Sequence, residues 1–155
     1  MDETLPTRDK PPAFEGTRSI RTSTGYLMVL RQGDDVFARL EALAERERIA
    51  SASFVGMGFL AEVTFGFYDF GKKAFDPKTF RQVELTNMTG TIAWQNGRPS
   101  IHAHGVVAGA DFEAVGGHLL ALEVGTGSLE ITVVLHPAQL ERIVDPLIQA
   151  NILQL

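Results

Sequence analysis

The chain has 155 residues, enough for one domain that buries about two-thirds of its unfolded surface. Hydrophobic residues make up 45% and charged residues 21%, ordinary for a soluble globular chain, and the lack of cysteine excludes disulfides, thiolate metal sites and a cysteine nucleophile. A formal charge of −5 counts against non-specific attraction to nucleic-acid phosphates; with no apolar run near the roughly 20 residues that span a bilayer, and no hydrophobic signal core, the expected location is the cytoplasm.

Residues 1–17 are polar and carry Pro6, Pro11 and Pro12, which predicts a flexible N-terminal tail ahead of a single domain over 18–155. Tyr26-Leu27-Met28-Val29-Leu30 reads as a buried strand, and Gln32-Gly33 turns the chain. Asp34 or Asp35 then caps a helix whose Val36, Phe37, Leu40, Leu43 and Ala44 form one apolar stripe and which ends near Arg48. From Ser51 the pattern becomes strand-like: Ala52 to Val55, a bend at Gly56-Met57-Gly58, then an aromatic-rich strand from Val63 to Phe70. Gly71-Lys72-Lys73 supports a hairpin turn, with Thr79 to Leu85 returning and Thr89 to Trp94 a further strand. Asn96-Gly97 is a two-residue hairpin signal, which pairs Ser100 to Val107 antiparallel with the preceding strand. His118 to Val124 and Leu129 to Leu135 read as the last strands, joined through Gly125 and Gly127. Pro137 is placed to start a C-terminal helix with Leu140, Ile143, Val144 and Leu147 on one face, and Pro146 kinks it. Many strands with hairpin turns, one early helix and one C-terminal helix argue an α+β fold on a largely antiparallel sheet. The apolar ending, Leu147-Ile148, Ile152-Leu153 and Leu155, suits either a subunit interface or packing on the chain's own sheet.

The chemistry concentrates between Pro99 and Leu119, which holds three of the four histidines. His102 and His104 are two apart in a predicted strand, so both face one side with Cα atoms about 6.6 Å apart. His118 follows Gly116-Gly117, where the backbone can bend or approach another chain segment closely. Three imidazoles with an open fourth position match a catalytic rather than a structural zinc site, and iron, nickel or copper also accept this donor set. The plainer reading makes His102 and His104 half-buried strand residues and His118 a separate cap. Asp111 and Glu113 are the nearest acidic residues that could serve as a base, although loop carboxylates are usually just solvated; Glu62, Glu84 and Glu130 lie in or beside strands. His136, before Pro137, reads as a cap or surface residue.

Other patterns carry less. Gly56-Met57-Gly58-Phe59-Leu60-Ala61 spells a dinucleotide fingerprint, yet a strand rather than the required helix follows. No G-x-S-x-G occurs, and the basic clusters at Arg18 and Arg21 or at Lys72, Lys73 and Lys78 suit solvated loops. No helix-turn-helix or zinc-finger spacing is present.

In order along the chain stand Gly33-Asp34-Asp35-Val36, Ala52-Ser53-Phe54-Val55-Gly56-Met57-Gly58, Met88-Thr89-Gly90-Thr91-Ile92, His102-Ala103-His104 and Gly116-Gly117-His118-Leu119. This succession resembles the PPC domain (plants and prokaryotes conserved) from about Arg18 to Pro137. The resemblance implies an α+β fold, a homotrimer, and a metal position at His102, His104 and His118. It also implies a link to DNA. In plants the domain is fused to AT-hook segments that bind the minor groove, and stand-alone prokaryotic members are labelled DNA-binding. The Arg-Gly-Arg-Pro core of an AT-hook does not occur here. The expectation is therefore a trimeric protein with an open three-histidine zinc site that binds or acts on a small ligand. A DNA- or transcription-associated protein acting through partners, and a structural interaction module, are the alternatives.

Overall fold

The computed structural model describes residues 18–155, so the predicted N-terminal tail over 1–17 lies outside the described residues. The elements run β1 (Ser19–Arg21), β2 (Gly25–Arg31), α1 (Val36–Arg46), β3 (Ser51–Asp69), β4 (Ala74–Gln95), β5 (Arg98–Ala108), β6 (Ala114–His136), β7 (Glu141–Val144) and β8 (Asn151–Gln154). All strands belong to one sheet of order β1-β2-β6-β3-β4-β7-β8, antiparallel except where β7 meets β4 at Trp94 and Glu141. Strand β5 pairs with both β4 and β6, while β3 also pairs with both. Strands β3, β4, β5 and β6 therefore close into a hydrogen-bonded ring.

Helix α1 forms where the sequence places it. Asp35 is the N-cap, its side chain accepting from the Ala38 N–H at 2.9 Å. At the other end the Ile49 N–H bonds the Ala44 carbonyl and Arg48 adopts a positive φ, so an arginine stands where helix stops usually place glycine. Val36, Leu40, Leu43 and Ala44 are buried, and Phe37 packs against the core they share with Phe54, Leu60, Val63, Met88, Leu129 and Ile131. Each fully buried valine, leucine, isoleucine, phenylalanine or methionine here contributes roughly 1.5–3 kcal/mol. Beside the helix start, Asp34 pairs with Arg39 at 2.8 Å and Arg18 at 3.2 Å. Burial works against its ionised form, but the Arg31 N–H and the two guanidiniums outweigh it and hold the carboxyl below its ordinary pKa. Arg18 is thus part of an ion-pair cluster rather than a free basic patch.

Three pairs of predicted strands are each one continuous strand. The bend at Gly56-Met57-Gly58 is a register shift within β3, and no helix follows it. On β6 the Gly125–Gly127 stretch is a slip in pairing rather than a connection: Leu60 faces Val124, whereas Gly58 faces Leu129. The glycines admit extra residues into a strand without ending it. The Asn96-Gly97 turn forms as expected, both residues at positive φ, between β4 and β5.

The predicted C-terminal helix is not there; residues 141–154 form the β7–β8 hairpin. A helix starting at Pro137 would bury Val144 and Leu147, but both are exposed and the buried residue is Arg142. Ile143 and Val144 are β-branched and suit a strand. The Asp145 carboxylate accepts from the N–H groups of Leu147 and Ile148, which makes Pro146 part of a turn instead of a kink.

Candidate metal centre and its cleft

His102 and His104 alternate with buried Ala103 on β5 and project to the same side of the sheet. His118, on β6, is the register partner of His104. Cross-strand partners stand about 4.5–5.5 Å apart, so one strand pair supplies all three rings. The geometry follows: ring centroids lie 5.2, 5.1 and 5.2 Å apart, a nearly equilateral triangle. Their coordinating nitrogens all fall within 4.8 Å of one another.

Two glycines make this closeness feasible. A Cβ on Gly116 would sit 2.6 Å from the Gly105 carbonyl oxygen, where β5 and β6 approach just beyond the His104–His118 pair. On β4, a Cβ on Gly90 would lie 2.4 Å from both the His102 carbonyl oxygen and the Phe54 ring. Gly90 thus lets the core phenylalanine press against the back of the strand that carries the histidines.

The donor set fits a metal ion. Zinc bonds imidazole at about 2.0–2.1 Å, which in tetrahedral geometry puts ligand nitrogens about 3.3 Å apart. Closing to that spacing needs rotation of the rings, not a change of strand register. Metal ligation also requires neutral imidazoles. Burial lowers the pKa of His118 to about 4, with further contributions from His102 and His104. His102 is lowered by burial first, then by Arg142 and His104. His136 differs: its Nε2 lies 2.8 Å from Ser53 Oγ, and it is held by that contact away from the cluster.

The histidines open onto a cleft of about 930 Å³. Its walls come from the tip of the β3–β4 hairpin and from the C-terminal hairpin. Phe75 stacks on the His118 ring at 4.7 Å and 16°. Tyr68 packs edge-on against Phe75, and its hydroxyl lies 2.8 Å and 2.9 Å from the Ile148 and Gln149 carbonyls. That contact ties the two hairpins together. Sequence reasoning missed these aromatic walls because their positions alternate as in any strand.

It also missed Arg142, only 4% exposed. One guanidinium nitrogen donates to Thr91 Oγ1 at 2.5 Å and to the Thr91 carbonyl at 3.4 Å, and another donates to the Ser100 carbonyl. Thr91 is the register partner of His102, which fixes the cation beside the histidine cluster. Burial pulls its pKa below the ordinary guanidinium value, yet an arginine remains cationic. A buried arginine amid a predicted helical stripe leaves no sequence signal of its own.

The carboxylates proposed as bases are not at the cluster. Asp111 and Glu113 are exposed in the β5–β6 turn, beyond the Ala108–Ala114 pair that lies about 13 Å along the strands from His104 and His118. Asp111 accepts from the Glu113 N–H, a local turn contact. Glu62 pairs with Arg81 at 2.7 Å. Glu84 and Glu130 are exposed strand residues outside the cleft lining. Asp76 does line the cleft, but Lys72 holds both its oxygens at 3.1 Å.

Residues 18–135 match the Plants and Prokaryotes Conserved (PCC) domain. Among solved structures, a putative DNA-binding protein from Ralstonia eutropha JMP134 is 64% identical with a TM-score of 0.86, over 89% of this chain and 96% of that one. A metal-containing protein from Archaeoglobus fulgidus is 26% identical with a TM-score of 0.74, over 87% and 95%. A plant- and prokaryote-conserved protein from Pyrococcus horikoshii has the same fold at 23% identity and a TM-score of 0.74, over 85% and 92%. No curated protein matches the chain.

Proposed function

The chain belongs to the Plants and Prokaryotes Conserved domain family, and we propose that within it His102, His104 and His118 hold one divalent metal, zinc before iron, nickel or copper, at the wall of a ligand cleft. The triangle of imidazoles on one strand pair carries this reading. The name of the Archaeoglobus relative, a metal-containing protein, supports it. Three protein ligands leave a coordination position open. A metal bound there would polarise a ligand oxygen or acidify a water toward a pKa of about 7. The chain's own part is to disfavour the cationic forms of His102 and His118, to orient the three rings through strand register, and to line the approach with aromatic side chains. The function that follows is binding, or acting on, a small molecule that enters the cleft.

Elemental analysis of protein purified without a histidine tag or chelator tests this. Close to one metal per chain is expected, and close to none in a His102→Ala/His104→Ala variant. Equal content in the two proteins overturns the reading.

We also propose that the chain assembles as a homotrimer. Support comes from apolar side chains left exposed around the cleft end, among them Phe67 at 78%, Leu147 at 81%, Phe70 and Val144. Light scattering on purified protein checks the stoichiometry, and a monomer at micromolar concentration rules it out.

A second reading, DNA binding, is favoured by the name of the 64%-identical Ralstonia relative. The net charge of −5 opposes it. Titration of duplex DNA across a salt series decides: a complex whose affinity falls steeply with salt supports DNA, and no binding at low salt ends it.

A further inference from the structure

Arg142 is the charged group that metal binding leaves unexplained. Among the described residues the ion pairs join Arg18 and Arg39 to Asp34, Arg46 to Glu47, Lys72 to Asp69 and Asp76, and Arg81 to Glu62. Arg142, more buried than any of these cations, has no carboxylate partner there. An uncompensated buried charge is strongly unfavourable. Its neutral acceptors, Thr91 and the Ser100 carbonyl, use three of the five guanidinium N–H donors and leave the charge itself unbalanced. A fixed cation in this state, on the wall of a cleft, is what an incoming anion would neutralise.

The surroundings narrow the anion's chemistry. Thr91 anchors the guanidinium next to His102 through strand register, so cation and histidine cluster address the same end of the cleft. Most of the remaining wall is apolar and aromatic, with Phe65, Phe75 and Phe80 among its lining residues; of the two other charged residues there, Asp76 is held by Lys72 and Lys78 lies over the Phe80 ring at 5.2 Å. The charge and the two N–H donors left on the guanidinium match the oxygens of a carboxylate, and aromatic faces match a ring or branched hydrocarbon body. A volume of about 930 Å³ lies within the range of roughly 300–1,000 Å³ typical of small-molecule sites.

We propose that the cleft takes a small carboxylate with an apolar body, its carboxylate neutralising Arg142 beside the histidine cluster and its body lying against the phenylalanine wall. The proposal rests on the metal-cleft reading above for the identity of the site. It does not require that the metal be zinc.

Calorimetry with 3-phenylpropionate and its neutral isostere 3-phenylpropanamide tests it, on metal-loaded and chelator-stripped wild-type protein. Arg142→Lys and Arg142→Gln variants follow, with the metal content of every sample measured. The acid is expected to bind about tenfold or more tightly than the amide, the difference a charge-assisted hydrogen bond makes. Arg142→Gln is expected to abolish that preference with metal content unchanged, and Arg142→Lys to retain only part of it, because a lysine ammonium cannot keep the contacts to Thr91 and Ser100 and also meet the ligand as the guanidinium does. An acid preference that persists in stripped protein supports the role of Arg142 while removing the metal from ligand binding. Failure of the chain to bind metal in any sample counts against the metal reading alone. Equal affinities for acid and amide in wild-type protein, no binding of either, or a preference that survives Arg142→Gln overturns the proposal. The wild-type comparison decides even where a variant does not fold.

Discussion

The two ends of the molecule are built from the same strands under different rules. At the α1 end, the helix packs over β5 and β6 and shares one aliphatic core with β3 and β4: Val36, Leu40, Met88, Leu129 and Ile131 have no measurable exposure. At the other end the same β3 and β4 carry Phe65, Phe67, Tyr68, Phe75 and Phe80 around an open cleft with three histidines and an arginine. The first end spends its surface on stability. The second leaves apolar area uncovered and a cation with no carboxylate partner among the described residues, which is costly for a fold and useful for binding. If that division holds, substitutions at the two ends should separate stability from binding.

The largest effect on stability is expected from Phe54→Ala. Its ring is 2% exposed and sits in the core against Gly90. Losing it should cost about 3–5 kcal/mol, through lost burial and the cavity left behind. Urea unfolding followed by circular dichroism measures this. Metal content per folded chain should be unchanged, and a loss of metal at full folding would break the division between the two ends.

Gly90→Ala tests the seam where the ends meet. The new Cβ would lie 2.4 Å from both the Phe54 ring and the His102 carbonyl oxygen, so ring or strand must move. Overpacking of this kind costs about 1–3 kcal/mol. Here, unlike Phe54→Ala, metal affinity should fall as well, because β5 carries two of the three ligands. Both the unfolding midpoint and metal competition with a chelator dye read the result. A stability loss with affinity intact would mean that the strand yields without disturbing the rings.

Much of the stable end was legible in the sequence. The helix stripe, its Asp35 cap and the Asn96-Gly97 turn are local patterns, and each stands where the residues put it. The histidine cluster was legible for the same reason, since alternation along one strand brings His102 and His104 to one face, and the hairpin brings His118 opposite. What the residues did not disclose is long-range. Gly56, Gly58, Gly125 and Gly127 look like strand ends, but they mark slips in pairing that only the partner strand defines. Leu140, Ile143, Val144 and Leu147 keep helical spacing, yet pairing with β8 and burial of Arg142 against Thr91 and Ser100 make a hairpin instead. Propensity and periodicity lose to tertiary contacts that lie 42 and 51 residues away in sequence.

Tyr68→Phe should act almost wholly at the cleft end. Its hydroxyl contacts the Ile148 and Gln149 carbonyls and closes the C-terminal turn against the β3–β4 hairpin. Removing it should cost about 1 kcal/mol, the ordinary worth of a hydrogen bond. Amide exchange should quicken in the C-terminal turn and hardly change in α1. Uniform acceleration across the chain would show that the two ends unfold together and that the cleft has no independent mobility.

The smallest effect on stability at neutral pH, and the finest test of the cleft end, is the titration of His118. Its pKa in the metal-free folded chain is about 4, against an ordinary 6.5, because burial and the two neighbouring imidazoles disfavour the cation. The unfolded chain therefore takes up this proton first as pH falls. Above about 6.5 neither state is protonated, and the contribution to stability is fully present; it is lost progressively between about 6.5 and 4. A histidine in the opposite situation, paired with a carboxylate, would stabilise the fold more as pH fell through the same range. Resolved proton NMR of the imidazoles in metal-free protein, run beside unfolding at pH 7 and pH 5, gives the midpoint and its consequence together. A His118 midpoint near 6.5 would mean that the ring is solvated, that Phe75 does not cover it, and that the cleft end is looser than its stacked geometry. A midpoint near 4 means that the ring is held neutral by the chain alone. A ligand nitrogen then stands ready for metal across the physiological range, and its cost to the fold appears only in acid.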